Sequence, residues 1–282
     1  MTGINETSDA MQVTMNNCCM RYGLEFNPFI KNSKEAVFMS IDYKEGINRL
    51  NYLREAKGFG LITGSAGKGK STIVRNWANS LHEAKYCVIY TPLSNLRAGE
   101  FFRNFADVMK LSPAYRTCDN LKIIRSEILR LQNDCRKTPV FIIDEADELD
   151  IGILNSFKSL FNFEMDSKDK AIVVLTGNNR LNHKLGMVAM TAVRQRIVAN
   201  FALEGMSKTE AAEYIRFKLS QAGATQDVFE PNAIEAIVNL AESTPRVINN
   251  LCRQSILIGG MSGANMISAE IVMQAFDDMK LQ

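Results

Sequence analysis

Eight consecutive residues, Gly64, Ser65, Ala66, Gly67, Lys68, Gly69, Lys70 and Ser71, follow the pattern G-x-x-x-x-G-K-[ST], and no other feature restricts the chain as strongly. The pattern has a physical logic. Glycines let a tight loop aim its backbone N–H groups at phosphate oxygens, and a helix starting there adds the positive end of its dipole. A strand must precede such a loop and a helix must follow it. The apolar run 59–63 supplies the strand, and Ile73, Val74, Trp77 and Leu81, at three- and four-residue spacings, predict a helix over 72–81. The implied ligand is ATP, cradled by residues 64–71 and by Thr72. Lys70 would reach the β- and γ-phosphates, and Ser71 would offer its hydroxyl to Mg²⁺, a hard cation that takes oxygen ligands.

Further strand and helix signals alternate along the chain. A helix is expected over 43–56, a fully buried parallel strand over 86–90, and amphipathic helices over 99–109 and 120–135. Residues 139–143 form another apolar run, which leads directly into Asp144 and Glu145. Beside a phosphate loop, two adjacent carboxylates divide the chemistry: Asp144 holds the Mg²⁺ shell and Glu145 polarises the attacking water. The run 171–177 is a further buried strand with Asn178 at its tip, where an amide can orient that water, although asparagine is also an ordinary turn residue. Arg194 and Arg196 precede a fifth strand over 197–203. Beyond it, Ser207 and Glu210 have the spacing of a capping box, and only helices are expected, over 207–222, 231–241, 246–258 and 269–279.

With 282 residues and 46% apolar side chains, the chain has ample material for a buried core. The formal charge of +2 is unevenly spread. Residues 1–20 hold Glu6 and Asp9 and no base, and 208–282 hold six basic against nine acidic groups, so the positive excess falls on 21–207. The six cysteines form no C-x-x-C pair and there are only two histidines, which speaks against a zinc site and a disulfide framework. No apolar run approaches the roughly 18 residues that span a bilayer, and the N-terminus lacks a signal-peptide layout, so a cytoplasmic location is expected. Residues 1–20 read as a mobile polar arm, 21–206 as an α/β nucleotide-binding domain and 207–282 as a helical lid. Around Pro28, the side chains Leu24, Phe26 and Phe29 suit either a clasp on the core or a cover over a flat aromatic ring.

Taken together, the phosphate loop after the first strand, Asp144 and Glu145 after the third, a polar tip after the fourth and an all-α end resemble the AAA+ ATPases. The segments 22–29, 143–164 and 244–252, with Pro245, Arg246 and Asn249, are similar to the ExeA-like branch, which includes transposition ATPases of the TniB, TnsC and Mu B kind. The resemblance implies an α/β AAA+ P-loop NTPase with a five-stranded parallel sheet flanked by helices, followed by a small all-α lid. It gives Asn27 and Phe29 a place at the nucleotide, makes Asn178 the polar sensor and Arg246 the lid arginine that senses the γ-phosphate, and sends Arg196, or else Arg194, to a neighbouring subunit's ATP. ExeA-like secretion ATPases carry Gln-Pro where this chain has Asn178 and Asn179, and add a membrane span and a cell-wall-binding region. The layout expected here is that of a transposition regulator. Its implied partners are double-stranded DNA, gripped through the backbone, a transposase or other recombination protein, and further copies of itself in a ring or helical filament. In this architecture the helices after the second strand face the pore, which makes Arg97, Arg103 and Lys122 the expected DNA contacts, aided by Ser94, Asn95 and Asn104. A protein-remodelling ATPase without DNA binding and a helicase-loader type remain alternatives.

Overall fold

The computed structural model describes residues 17–31, 37–91, 96–164, 168–242 and 244–280. They fall into two units, one formed by Asp42–Leu203 and the other by Met1–Ile41 with Glu204–Gln282.

The first unit runs α1 (Ile41–Ala56), β1 (Gly58–Thr63), α2 (Lys70–Ser80), β2 (Tyr86–Thr91), α3 (Ala98–Val108), α4 (Thr117–Asn133), β3 (Thr138–Ile143), α5 (Ile151–Leu160), β4 (Ile172–Gly177), α6 (Asn179–Gly186), α7 (Thr191–Arg194) and β5 (Ile197–Ala202). All five strands are parallel, in the order β2-β3-β4-β1-β5. The three inner strands have both faces covered, which is why their sequences are continuous apolar runs rather than alternating ones. Alternate residues still divide between two cores. Val140, Ile142, Ile172 and Val174 pack with Leu53, Ile73 and Trp77 of α1 and α2. Phe141, Ile143, Val173 and Leu175 pack with Phe101, Phe105, Ile128 and Phe157 of α3, α4 and α5.

The expectation of a fully buried second strand is corrected by the strand order. β2 lies at the sheet edge with β3 as its one neighbour, and Val88 and Tyr90 are 41% and 50% exposed. An edge strand is covered on fewer sides, and apolar β-branched residues are compatible with either position.

The second unit contains α8 (Lys208–Gln221), α9 (Pro231–Leu240), α10 (Pro245–Ser262) and α11 (Ala269–Lys280). The expected capping box opens α8: Glu210 N–H donates to Ser207 Oγ at 3.2 Å, and Ser207 N–H donates to Glu210 Oε2 at 3.0 Å. Of the arm expected over 1–20, residues 1–16 lie outside those described, whereas 17–21 are helical and bury Cys18 and Cys19. Tyr22, Leu24 and Phe29 continue into the same core, with Tyr214, Ile237, Leu251 and Ile256, so this segment groups with the helical unit. α10 runs four residues beyond the expected 258, through Gly259 and Gly260. A Cβ on Gly260 would stand 2.5 Å from Cys18 Cβ, so the glycine lets the N-terminal segment approach the helix closely. The helix ends at Gly263, whose φ of 75° is the left-handed C-terminal stop. Among the described residues no helix is long and apolar enough to cross a membrane.

Candidate functional site

The phosphate-loop residues leave β1 on a backbone that needs glycine: φ is 150° at Gly64, 83° at Gly67 and 100° at Gly69. α2 starts at Lys70, two residues before the expected start, because the loop's last glycine is itself the N-cap. A glycine cap has no side chain to accept from the first turn, which leaves those N–H groups for an anion. The Lys70 ammonium donates to the carbonyls of Gly64 at 2.8 Å and Ser65 at 3.1 Å. Ser65, Ala66, Ser71 and Thr72 are exposed, and Gly67, Lys68, Gly69 and Lys70 are half-buried.

Asp144 follows β3 directly and joins the loop to two strands. Ser71 Oγ donates to its Oδ2 at 3.0 Å, Tyr90 OH reaches the same oxygen at 3.4 Å, and Thr176 Oγ1 donates to Oδ1. Burial, then the Asp144 charge, raises the Tyr90 pKa above its ordinary value. Glu145 follows on a left-handed backbone, with φ 53° and ψ 36°, and is exposed. Its own N–H donates to Asp144 Oδ1 at 3.1 Å. A cavity of about 370 Å³ opens beside this group, lined by Ser71, Arg75, Asn79, Tyr90, Asp144 and Thr176 among others. The donor set suits Mg²⁺ with ATP: a hydroxyl and a carboxylate for a hard cation, and loop amides, a helix N-terminus and an ammonium for phosphates.

Other expected site residues have local partners. Asn178 caps α6, its Oδ1 accepting from Arg180 N–H at 2.8 Å, while its own N–H donates to Asp147 Oδ1 at 3.1 Å. Arg196 Nη1 donates to the Lys158 carbonyl in the last turn of α5 at 3.1 Å, and Arg194 Nη1 to the Gly186 carbonyl at the end of α6 at 3.3 Å. Both arginines thus serve helix C-termini. Asn27, Phe29, Arg246 and Asn249 belong to the helical unit. Asn27 is buried and accepts from Phe29 N–H at 2.9 Å, Phe29 lies in the core, and Asn249 Oδ1 accepts from Tyr214 OH at 2.9 Å. Arg246, the second residue of α10, is exposed.

Sequence reading did not find Thr176, Tyr90 or Asp147. The last is a carboxylate only 6% exposed, between the Asn178 backbone and the Arg180 guanidinium, 3.3 Å away. Their signal lies in strand order rather than in spacing along the chain. Of the expected DNA contacts, Arg97 and Arg103 line one open cleft together with Arg116 and Tyr115. Lys122 pairs with Asp119 at 3.7 Å instead. The amide nitrogen of Asn104 is buried, which corrects its expected part as a donor to DNA. Ser94 and Asn95 lie outside the described residues.

A five-stranded parallel sheet with the phosphate loop after its first strand and a carboxylate after its third defines the class: this is the AAA+ P-loop ATPase fold. A sequence family described as "AAA domain" matches residues 53–185. Over 264 residues the chain is 30% identical to general secretion pathway protein A of Aeromonas hydrophila, covering 91% of this chain and 47% of that protein, so it spans about half the length of this curated relative. Cdc6p of Pyrobaculum aerophilum superposes with a TM-score of 0.69 at 12% identity, covering 89% of this chain and 70% of that one. The Aeropyrum pernix ORC1 protein in complex with DNA superposes at 0.67 and 13% identity, covering 89% and 68%. At these identities the two structures establish the fold alone.

Proposed function

We propose that this chain is an ATP-dependent DNA-binding regulator of the TniB, TnsC and Mu B kind. In this reading it hydrolyses ATP, assembles as a ring or helical filament on double-stranded DNA in the cytoplasm, and recruits or activates a transposase or another recombination protein. The observation that carries the ATP half is the meeting of Ser71, Tyr90 and Thr176 at Asp144, beside a loop whose amides and helix N-terminus have no side-chain cap. Lys70 would exchange its loop carbonyls for phosphate oxygens, Ser71 and Asp144 would hold Mg²⁺, Glu145 would polarise the attacking water and Asn178 would orient that water through its amide. When bound, Mg²⁺ neutralises charge on the phosphates.

The DNA half is supported by Arg97 and Arg103 sharing one exposed cleft. Each subunit would make only a few phosphate contacts, and assembly driven by ATP multiplies them. An Arg97→Ala, Arg103→Ala variant should bind duplex DNA more weakly, with a salt slope lower by about one to two, and keep the parent's ATP affinity. A salt series indistinguishable from the parent would remove these two residues from the DNA surface.

A second reading has its own support. The similarity to general secretion pathway protein A covers 91% of this chain, which favours a protein-remodelling ATPase that never touches DNA. The two readings part on whether ATP makes the purified protein shift duplex DNA at moderate salt.

A further inference from the structure

The cleft that contains Arg97 and Arg103 holds more than two bases, and its other features point to a particular form of nucleic acid. It has a volume of about 630 Å³, lies where α3 and α4 begin, and is lined by three arginines, Arg97, Arg103 and Arg116, against one carboxylate, Glu100. All three arginines are exposed, and among the described residues none has a carboxylate within ion-pair distance. Glu100 accepts from the Arg97 backbone N–H at 3.3 Å and is thereby committed to the start of α3. Arg97 and Arg116 are themselves the N-caps of α3 and α4, and a guanidinium cannot accept from the first-turn N–H groups; each first turn carries one carboxylate, Glu100 in α3 and Asp119 in α4, so the positive character of the cleft comes from the arginine side chains. These starts are adjacent, since a Cβ on Gly99 would lie 3.6 Å from Thr117 Oγ1.

Tyr115 supplies the second kind of contact. It is 92% exposed, so its ring contributes little to the core. The Arg103 guanidinium lies 5.9 Å from the ring centroid and its Nη2 donates to the Tyr115 carbonyl at 3.5 Å, which ties this loop residue to α3. An aromatic face set among unpaired arginines matches a phosphate chain that also offers a bare base. Duplex bases have their faces stacked on one another, and an unpaired nucleotide does not. The cleft is open to solvent, unlike the enclosed pockets that bury most of a small molecule.

We propose that this cleft binds an unpaired stretch of DNA, its phosphates on Arg97, Arg103 and Arg116 and one base stacked on Tyr115. The inference rests on the DNA-binding reading above and specifies the state of the DNA. The test is fluorescence anisotropy of the full chain with ATP, using a blunt duplex, the same duplex with a short central unpaired gap, and oligothymidine. The parent should prefer the gapped probe and the single strand by roughly fivefold or more, the weight of one stacked base. Tyr115→Ala should lose that preference while binding the blunt duplex as the parent does, and Tyr115→Phe should keep it. The ATPase rate without DNA should be the same in all three proteins. A parent that binds blunt and gapped duplexes equally, or a Tyr115→Ala variant that keeps the preference, would overturn this inference and leave the DNA reading standing. A parent that binds none of the probes would overturn both. Displacement of the oligothymidine by a free mononucleotide at matching concentration would assign the cleft to a small ligand instead.

Discussion

Lys70 and Glu145 have separable tasks in the proposed chemistry. The Lys70 ammonium rests on two loop carbonyls and would trade them for phosphates, so Lys70→Ala should weaken ATP binding by roughly ten- to a hundredfold, the worth of a charge-assisted hydrogen bond. Glu145, exposed on its left-handed backbone, acts on water, so Glu145→Gln should retain ATP affinity and lose about 10²-fold or more in turnover. Equilibrium binding and phosphate release measured on both variants check this, and an equal loss of affinity in the two would take Glu145 out of the chemistry. Lys70, Ser71 and Asp144 were legible in the sequence because each belongs to a contiguous pattern whose spacing the chemistry dictates. Thr176 and Tyr90 were not, because they meet Asp144 from the two strands that flank β3, and only the order β2-β3-β4 creates that neighbourhood. Asn178 was legible as a polar strand tip, while its capping bond to Arg180 depends on a helix of eight residues that periodicity does not resolve.

At the scale of elements, α10 shows how packing overrides local preference. Glycine weakens a helix interior, which is why the sequence suggests an end near 258. The helix nevertheless continues to Ser262, because the Cys18 segment packs where a side chain at position 260 would stand. In an isolated helix Gly260→Ala would stabilise by about 1 kcal/mol. Here the added methyl meets Cys18, and the variant should unfold at lower urea concentration, with a loss of about 1–3 kcal/mol from overpacking. An unchanged or higher midpoint would contradict the close approach. The limit of periodicity left α6 and α7 unresolved, since they have eight and four residues. β2 was legible as a strand but not as an edge, because its apolar residues fit both places and pairing is decided by the rest of the sheet.

For the whole molecule, the α/β unit followed by helices was readable from the switch between alternating and purely helical signals. The grouping of the N-terminal segment with the C-terminal helices was not, because it joins distant parts of the chain, as in the contact of Cys18 with Gly260. If Arg196 completes the site of a neighbour, as the resemblance to AAA+ ATPases implies, ATPase activity should rise faster than linearly with protein concentration. Arg196→Ala should then lower turnover by as much as roughly 10³-fold with ATP affinity largely intact. Activity strictly proportional to concentration, over a range where self-association is seen, would describe a self-sufficient monomer. The most direct measurement is of DNA binding itself: anisotropy of a labelled duplex at moderate salt, with and without ATP, for the parent and for Lys70→Ala. The parent should bind the duplex with ATP and release it without, and Lys70→Ala should not respond to ATP. A parent that binds and hydrolyses ATP yet gives the same duplex signal with and without it would contradict the DNA-binding regulator and favour the protein-remodelling ATPase.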